Sequence, residues 1–449
     1  MLTICTIITK SHLVYARTLL QSLQKYNEDV KFYVLLADQV DGYFEPKDYD
    51  FSWIFLEDLC DQEIVRQMCF YYSAFELCCA LRGHLHQYLY QNTDIDKWVF
   101  LDSDIMVCGS LEPIFQELEN HSILLTAHCD MPVDNEYVYP HEVNFLRVGT
   151  FNAGFLGLSR SSTTWGFIEW FKNRLTKFCF NDLAISEPRS LFVDQLWLNL
   201  VPQFFSGVSV FSHPGANLGH WNLYHKKLEI EQYDKVLVDG EPLLFVHFSG
   251  WDINNPDEIS KYSPMYQGKR STIWSMLAKT YLESLLRNDY PTSIKYPYAF
   301  THYSTGETIT LAARRHYYLE LQQGLSLSES PFAFSKNVSS FLSHTESIAL
   351  LKEEIESVRS ELDCLTQANN QLKTTIQTSQ SDLHELSQRN TELEKTIQTN
   401  HSDLHELSQR NTELEKTLKA IEISKFWRLR NLWFKIKILL RLPTSKQII

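Results

Sequence analysis

The sequence predicts an α/β domain on a parallel sheet, followed by a long α-helical coiled coil. Three observations carry this. β-branched apolar runs of strand length alternate with segments of helical spacing, beginning with "TICTIIT", "YARTLLQSLQKY" and "KFYVLLAD", which is a β-α-β start. From Ser347 glycine and proline disappear until Pro443. Across that stretch a 21-residue unit recurs, "TIQTSQSDLHELSQRNTELEK" from Thr375 returning as "TIQTNHSDLHELSQRNTELEK" from Thr396.

Further strands are expected at "DKWVFLDSD", "SILLTAH", "NAGFLGLS" and "PLLFVHFSG", and helices at "FELCCALRGHLHQYLYQ", "TTWGFIEWFKNRLTKFC" and "VDQLWLNLVPQFF". The boundaries this implies are a domain over 1–334, a linker over 335–346, a coiled coil over 347–422 and a basic tail over 423–449. In the coiled-coil segment Ile348, Leu351, Ile355, Val358, Leu362, Leu365, Leu372, Ile376, Leu383 and Leu386 open a series whose steps alternate three and four, continuing to Ile421. That is a heptad pattern. The repeat equals three heptads, so duplication keeps the apolar seam in register. With Ile355 and Leu362 at position a, Asn369, Asn390 and Asn411 also fall at a. Buried asparagines there favour a defined two-stranded register, so a parallel homodimer is expected, with a rod roughly 110 Å long.

The tail "SKFWRLRNLWFKIKILLRLPTSK" carries Lys425, Arg428, Arg430, Lys435, Lys437, Arg441 and Lys446 and no acid. Phe426, Leu429, Leu432, Trp433, Ile436, Leu439 and Leu440 share one arc of a helical wheel, flanked by cations. This suits contact with a membrane surface. Trp427, Phe434, Ile438 and Leu442 lie opposite, and packing on the main domain is the other reading.

The 449 residues suffice for one large domain with additions, and the net charge of −14 weighs against a nucleic-acid partner. "MLTICTIITKSH" has no basic segment ahead of an apolar core and cleavage site, so no secretory signal is expected. No window of eighteen uncharged apolar residues exists, so no spanning helix is expected. Nine scattered cysteines without C-x-x-C spacing read as reduced thiols. Together these place the protein in the cytoplasm, peripheral at the inner face of a membrane where the tail makes contact.

The chemistry centres on "KWVFLDSDIMVCGSLEPIF". An apolar strand there ends in Asp102 and Asp104 around Ser103. Alternation along a strand points both carboxylates the same way. Two such groups repel unless a cation or a proton lies between them. Oxygen ligands suit Mg²⁺ or Mn²⁺, which neutralises a diphosphate leaving group. A bare D-x-D match also fits a solvated turn with Ser103 and Gly109.

"VFLDSDIMV" resembles the D-x-D strand of GT-A glycosyltransferases, especially glycosyltransferase family 8, which includes glycogenin and bacterial lipopolysaccharide galactosyltransferases. Four more segments follow that family's order. "TIITKSHLVYARTLLQSL" resembles its first strand and helix, "FNAGFLGL" its F-N-S/A-G segment, "VDQLWLN" its D-Q helix start, and "VHFSG" its H-F/Y-x-G strand. The resemblance spans about residues 1 to 255. "HPGANLGHWNLYHKKL", "YPYAFTHYSTGETI" and "ELCCALRGHL" also look like segments of poorly characterised bacterial glycosyltransferase-like domains, extending the match to about Phe334.

The resemblance implies a GT-A (Rossmann-like) fold and roles residue by residue. Asp102, Asp104 and His247 would hold Mn²⁺ or Mg²⁺, and His247 has a core-histidine reading besides. Thr9, Lys10 and Ser11 would lie near the base and ribose of a nucleotide-sugar, by resemblance a UDP-sugar. Ser103 would stand between the metal ligands at the donor. Arg82 would place a cation near the donor or serve as a surface charge. Asn152 and Gly154 would line the sugar pocket, with glycine admitting the donor. Asp194 and Gln195 would face the donor sugar and acceptor as the catalytic pair, and Asp194 has the further reading of a helix N-cap. Two departures stand out. "HFSGWDINNP" lacks the lysine that family 8 carries after its histidine, leaving Lys261 or Arg82 for the diphosphate, and "TKSH" replaces the usual D-x-N turn.

The implied activity is hexosyl transfer from a nucleotide-sugar to a glycan or lipid-linked hydroxyl, with retained configuration, in bacterial surface glycan synthesis. The rival is a catalytically degenerate domain that serves as a coiled-coil scaffold.

Overall fold

The computed structural model describes residues 1–132, 139–181, 191–231, 235–256, 258–262, 272–324, 330–333 and 344–440. They form two compact units, Met1–Ser357 and Val358–Ile449. Most of the expected linker, 335–343, and the last tail residues, 441–449, lie outside the described residues.

The first unit is a mixed α/β domain. Its strands are β1 (Leu2–Ile8), β2 (Val30–Leu36), β3 (Ser52–Ile54), β4 (Lys97–Leu101), β5 (Ile105–Val107), β6 (Ile123–Leu125), β7 (Phe155–Ser159), β8 (Val208–Val210), β9 (Leu228–Ile230), β10 (Val236–Val238), β11 (Glu241–Pro242) and β12 (Phe245–His247). Its helices include α1 (Leu13–Tyr26), α2 (Gln62–Tyr71), α3 (Ala74–Ala80), α4 (Arg82–Asn92), α5 (Glu112–Glu117), α6 (Tyr139–Val148), α7 (Ser162–Phe178), α8 (Val201–Phe204), α9 (Thr272–Arg287), α10 (Tyr290–Ser293) and α11 (Leu311–Gln322).

The main sheet has seven strands in the order β3-β2-β1-β4-β7-β6-β8. β1 runs parallel to β2 and β4, while β7 runs antiparallel between β4 and β6. The sheet is therefore parallel-rich rather than wholly parallel. Helix α1 makes the long crossover that a parallel β1–β2 pair requires.

Strand alternation sorts the core into two layers. Cys5, Ile7, Leu35, Trp98 and Phe100 face Leu85, Phe167 and Phe171 of α4 and α7. Ile4, Ile8, Val34, Val99 and Leu101 face Leu19, Leu23 and Ile114 of α1 and α5. Helices α4 and α7 approach closely at Gly83, where a Cβ would lie 2.4 Å from the Lys172 Cα. A third cluster packs α9, through Trp274 and Tyr281, on Val246 and Phe248.

Several expected elements are shorter or broken. "FELCCALRGHLHQYLYQ" is two helices meeting at Leu81, and α4 begins at Arg82. "VDQLWLNLVPQFF" is a 3₁₀ turn over Gln195–Leu200 followed by α8, with Pro202 in the first turn of α8, where a missing N–H is tolerated. β12 leaves the main sheet and pairs antiparallel with β5, with His247 opposite Ile105.

The long helix His344–Ile423 runs on through the heptad segment, and its residues from Val358 onward belong to the second unit. Leu362, Leu365, Leu372, Ile376, Leu383 and Leu386 are each more than half exposed in the single chain, as an unpartnered seam would be. A second helix spans Lys425–Leu439, and the Ser424 hydroxyl caps it by accepting from the Trp427 N–H at 3.2 Å. Among the described residues no helix is long and apolar enough to cross a membrane.

Candidate metal centre and adjoining cavity

β4 ends at Leu101, and Asp102–Asp104 form the turn into β5. The turn is fixed at both ends. The Asp102 N–H donates to the Gly154 carbonyl at 2.9 Å, and the Phe248 N–H donates to the Asp104 carbonyl at 3.0 Å. The turn and the β5–β12 register thus bring both carboxylates to His247. Its Nε2 lies 3.1 Å from Asp104 Oδ1 and 3.8 Å from Asp102 Oδ2. One ligand atom from each of the three lies within 4.8 Å of the others. This donor set suits Mn²⁺ or Mg²⁺ with water completing the shell.

The electrostatics fit a cation site. Burial raises the Asp102 carboxyl to about 6, against the lowering pull of Arg82 and His247. For Asp104 burial also pushes upward, but the imidazole of His247 beside it wins and holds the carboxyl below its ordinary range. Burial would lower His247, yet the two aspartates raise it. The histidine occupies the place where positive charge is wanted.

Arg82 is buried rather than a surface charge. Its guanidinium pairs with Asp102 at 2.5 Å and Asp194 at 2.6 Å and donates to the Ala153 carbonyl. Burial opposes its charge, but the two carboxylates more than offset this. Asp194 therefore faces Arg82 instead of capping the turn that follows it, where no side-chain cap bond forms; the N-cap reading is corrected. Gln195 braces backbone, accepting from the Ala153 N–H at 3.2 Å and donating to the Val148 carbonyl at 3.0 Å.

Asp102, Arg82, Asn152, Gly154, Asp194, Gln195 and His247 all line one cavity of about 690 Å³, with Phe145, Trp221 and Tyr262 among its aromatic walls. Gly154 is explained by its neighbour. A Cβ there would lie 2.3 Å from His247 Cε1, so the glycine leaves room for the imidazole ring.

Thr9, Lys10 and Ser11 stand apart from this cavity, in the turn after β1. The Thr9 hydroxyl is 3.0 Å from the Ser11 hydroxyl and 3.0 Å from His12 Nδ1. The Lys10 side chain is fully buried, pairing with Asp38 at 3.4 Å and Asp41 at 2.5 Å. It ties the loop after β2 to the turn after β1. Ser103 lies partly exposed in the turn between the two aspartates.

Asn217, within "HPGANLGHWNL", and His128, at the end of "SILLTAH", belong to no motif with a role of its own, so sequence reasoning misses them. The Asn217 Oδ1 meets His247 Nδ1 at 3.2 Å, and the Asn152 amide meets His128 Nε2 at 3.1 Å. His12, in "TKSH", carries no role of its own either; burial lowers its imidazole, against the raising pull of Asp104.

No family model matches the chain. It is 26% identical over 266 residues to the uncharacterized protein YfnF of Bacillus subtilis (strain 168), covering 57% of this chain and 84% of that one. It is 24% identical over 265 residues to YfnD of the same organism, covering 57% and 79%. Among solved structures, the galactosyltransferase LgtC in complex with donor and acceptor sugar analogs aligns over 64% of this chain and 96% of its own, at 16% identity and a TM-score of 0.38. The glycosyltransferase GlyE of Streptococcus pneumoniae TIGR4 aligns over 68% and 67%, at 17% identity and a TM-score of 0.37.

Proposed function

We propose that this chain is a metal-dependent glycosyltransferase that moves a sugar from a nucleotide-sugar, a UDP-sugar by motif resemblance, to a hydroxyl acceptor with retained configuration. One observation carries the reading. Asp102, Asp104 and His247 converge where β4 ends, and Asp102 and His247 of that cluster line a cavity large enough for a sugar and its acceptor. Open α/β sheets bind ligands beyond the carboxyl ends of their strands.

Mn²⁺ or Mg²⁺ held by these three residues would neutralise charge on the diphosphate leaving group. Arg82 holds Asp102 and Asp194 in place between them. Asp194 and Gln195 wall the sugar side of the cavity. The Lys261 ammonium lies over the Tyr262 ring, and Tyr262 lines the cavity, so Lys261 is our choice for the diphosphate cation that the lost family lysine would supply. Thr9 and Ser11 would meet the nucleoside, with Lys10 fixing their turn from below.

The exposed heptad seam supports a parallel homodimer, and the cationic tail helix supports contact with an anionic membrane surface. An acceptor on a lipid carrier or a growing surface glycan fits that placement. The lysine missing from "HFSGWDINNP" favours a scaffold reading, in which the domain is a platform without turnover and the coiled coil does the work.

A screen of nucleotide-sugars with Mn²⁺, scored for nucleotide release, separates the two. Release that EDTA stops and Asp104→Asn abolishes is expected. Mn²⁺-dependent binding with no release from any donor, with or without glycan and lipid-linked acceptors, would favour the scaffold.

A further inference from the structure

The geometry points to Asn217 as a positioning residue that fixes which nitrogen of His247 is free to bind a metal. The inference rests on the metal site proposed above and adds a residue to it. The argument starts from two backbone groups whose hydrogen-bonding sense cannot change. The Gly154 N–H donates to the Asn152 Oδ1 at 3.1 Å, so that atom is an oxygen acceptor. The Gly149 carbonyl accepts from His128 Nδ1 at 2.9 Å, so His128 carries its proton there and offers a lone pair at Nε2. Burial lowers the His128 imidazole to about 3 and keeps it neutral. The Asn152 amide nitrogen donates to that lone pair. Both ends of Asn152 are therefore oriented.

The orientation passes on to Asn217. Its Nδ2 lies 3.0 Å from Asn152 Oδ1 and 2.7 Å from the Thr126 hydroxyl. The group facing an oxygen pinned by a backbone N–H must be a donor, so Asn217 Oδ1 points to His247. Nδ1 of His247 then carries a proton, donated to Asn217 at 3.2 Å. In neutral His247 the lone pair is left on Nε2, the atom that faces Asp102 and Asp104. A metal-binding histidine needs this arrangement, in which the other ring nitrogen donates to a fixed acceptor.

Asn217 is well suited to the task. It is buried, its φ is +50°, and asparagine tolerates that left-handed backbone better than most residues. Its carbonyl accepts from the Asn222 amide at 3.2 Å, and Asn222 in turn accepts from the Gly219 N–H at 3.0 Å. The acceptor is held from the backbone side as well.

The test is a titration of the full chain with Mn²⁺ alone, counting free ion by electron paramagnetic resonance. Asn217→Gly removes the amide and keeps the left-handed backbone. It should weaken Mn²⁺ binding about 10- to 100-fold, the usual effect of losing a partner of a ligating histidine. In a His247→Ala background the same change should leave Mn²⁺ affinity as it is, because no tautomer remains to fix. Unchanged affinity of the single variant overturns the assignment. An equal further loss in the His247→Ala background also overturns it, since Asn217 would then only support the local fold. Wild-type protein that binds no Mn²⁺ overturns the metal site and this assignment together. If Asn217→Gly does not fold, Thr126→Val withdraws one of the two partners of Asn217 Nδ2 and should show the same dependence on His247 at smaller size, and its absence there overturns the assignment equally.

Discussion

At the residue scale, the cluster of Asp102, Asp104 and His247 gives a graded expectation. Asp104→Asn removes a charge and a ligand atom together, so Mn²⁺-dependent binding of a nucleoside diphosphate should vanish in titration calorimetry while the fold persists. His247→Ala removes a neutral ligand and should weaken metal binding less. Gly154→Ala tests the ring's seat. Its methyl group would overlap His247 Cε1, and overpacking of this kind costs about 1–3 kcal/mol. Mn²⁺ affinity should drop with little loss of secondary structure, and unchanged affinity would mean that the ring has room to shift.

At the element scale, the long helix presents its apolar residues to solvent in the single chain. Leu383, Leu386, Leu404 and Leu407 are each more than 60% exposed. A seam that long is unfavourable without a partner. Light scattering on the full chain should give two copies, and Leu383→Asp with Leu404→Asp, both at position a, should return one. The asparagines at position a pair with themselves in a parallel, unshifted dimer, so a cysteine placed at either end of the rod should cross-link to its own copy. A monomeric wild-type chain at tens of micromolar would refute the pairing.

At the scale of the whole molecule, two expectations concern pH and surface. Burial lowers His84 to about 4 and His86, His128 and His220 to about 3. The unfolded chain takes up these protons near pH 6.5 while the folded chain does not. The stability they represent is complete above about pH 6.5 and is lost as pH falls toward the folded values, at up to about 1.4 kcal/mol per unit for each. His247 runs the opposite way, since its raised value makes its contribution present at low pH and lost as pH rises through the folded value. Asp102 and Asp194, whose carboxyls burial raises, run the same way as His247, but the lowered histidines, joined by His12, His141 and His213, outnumber these three, so the melting temperature should fall from pH 7 to pH 5. His86→Gln, which still offers an acceptor to the Trp98 N–H, should make that fall shallower. For the tail, removal of residues 423–449 should abolish flotation with anionic liposomes at low salt and leave nucleotide release intact. Each cation near such a surface contributes about 1 kcal/mol, screened by salt. Equal flotation of both forms would refute the membrane contact.

The sequence by itself determined the class of fold, the change of character near Ser347 and the seam, because strand alternation and heptad spacing are local periodicities that survive without knowledge of neighbours. It also picked out Asp102, Asp104 and His247, since five short segments in a fixed order place them. What only the tertiary structure decided depends on partners far apart in the chain. Arg82 meets Asp102 and Asp194 because α4 starts afresh at residue 82, and a break between two helical segments leaves no periodic trace. The buried Lys10 pairs with Asp38 and Asp41, so the lysine of "TKSH" braces two loops that lie about 30 residues apart in the chain. Asn217 reaches His247 across 30 residues through one amide, and its orientation is set by the backbone of Gly154 and Gly149. Hydrogen-bond direction is a property of the assembled network, and no spacing in the sequence encodes it.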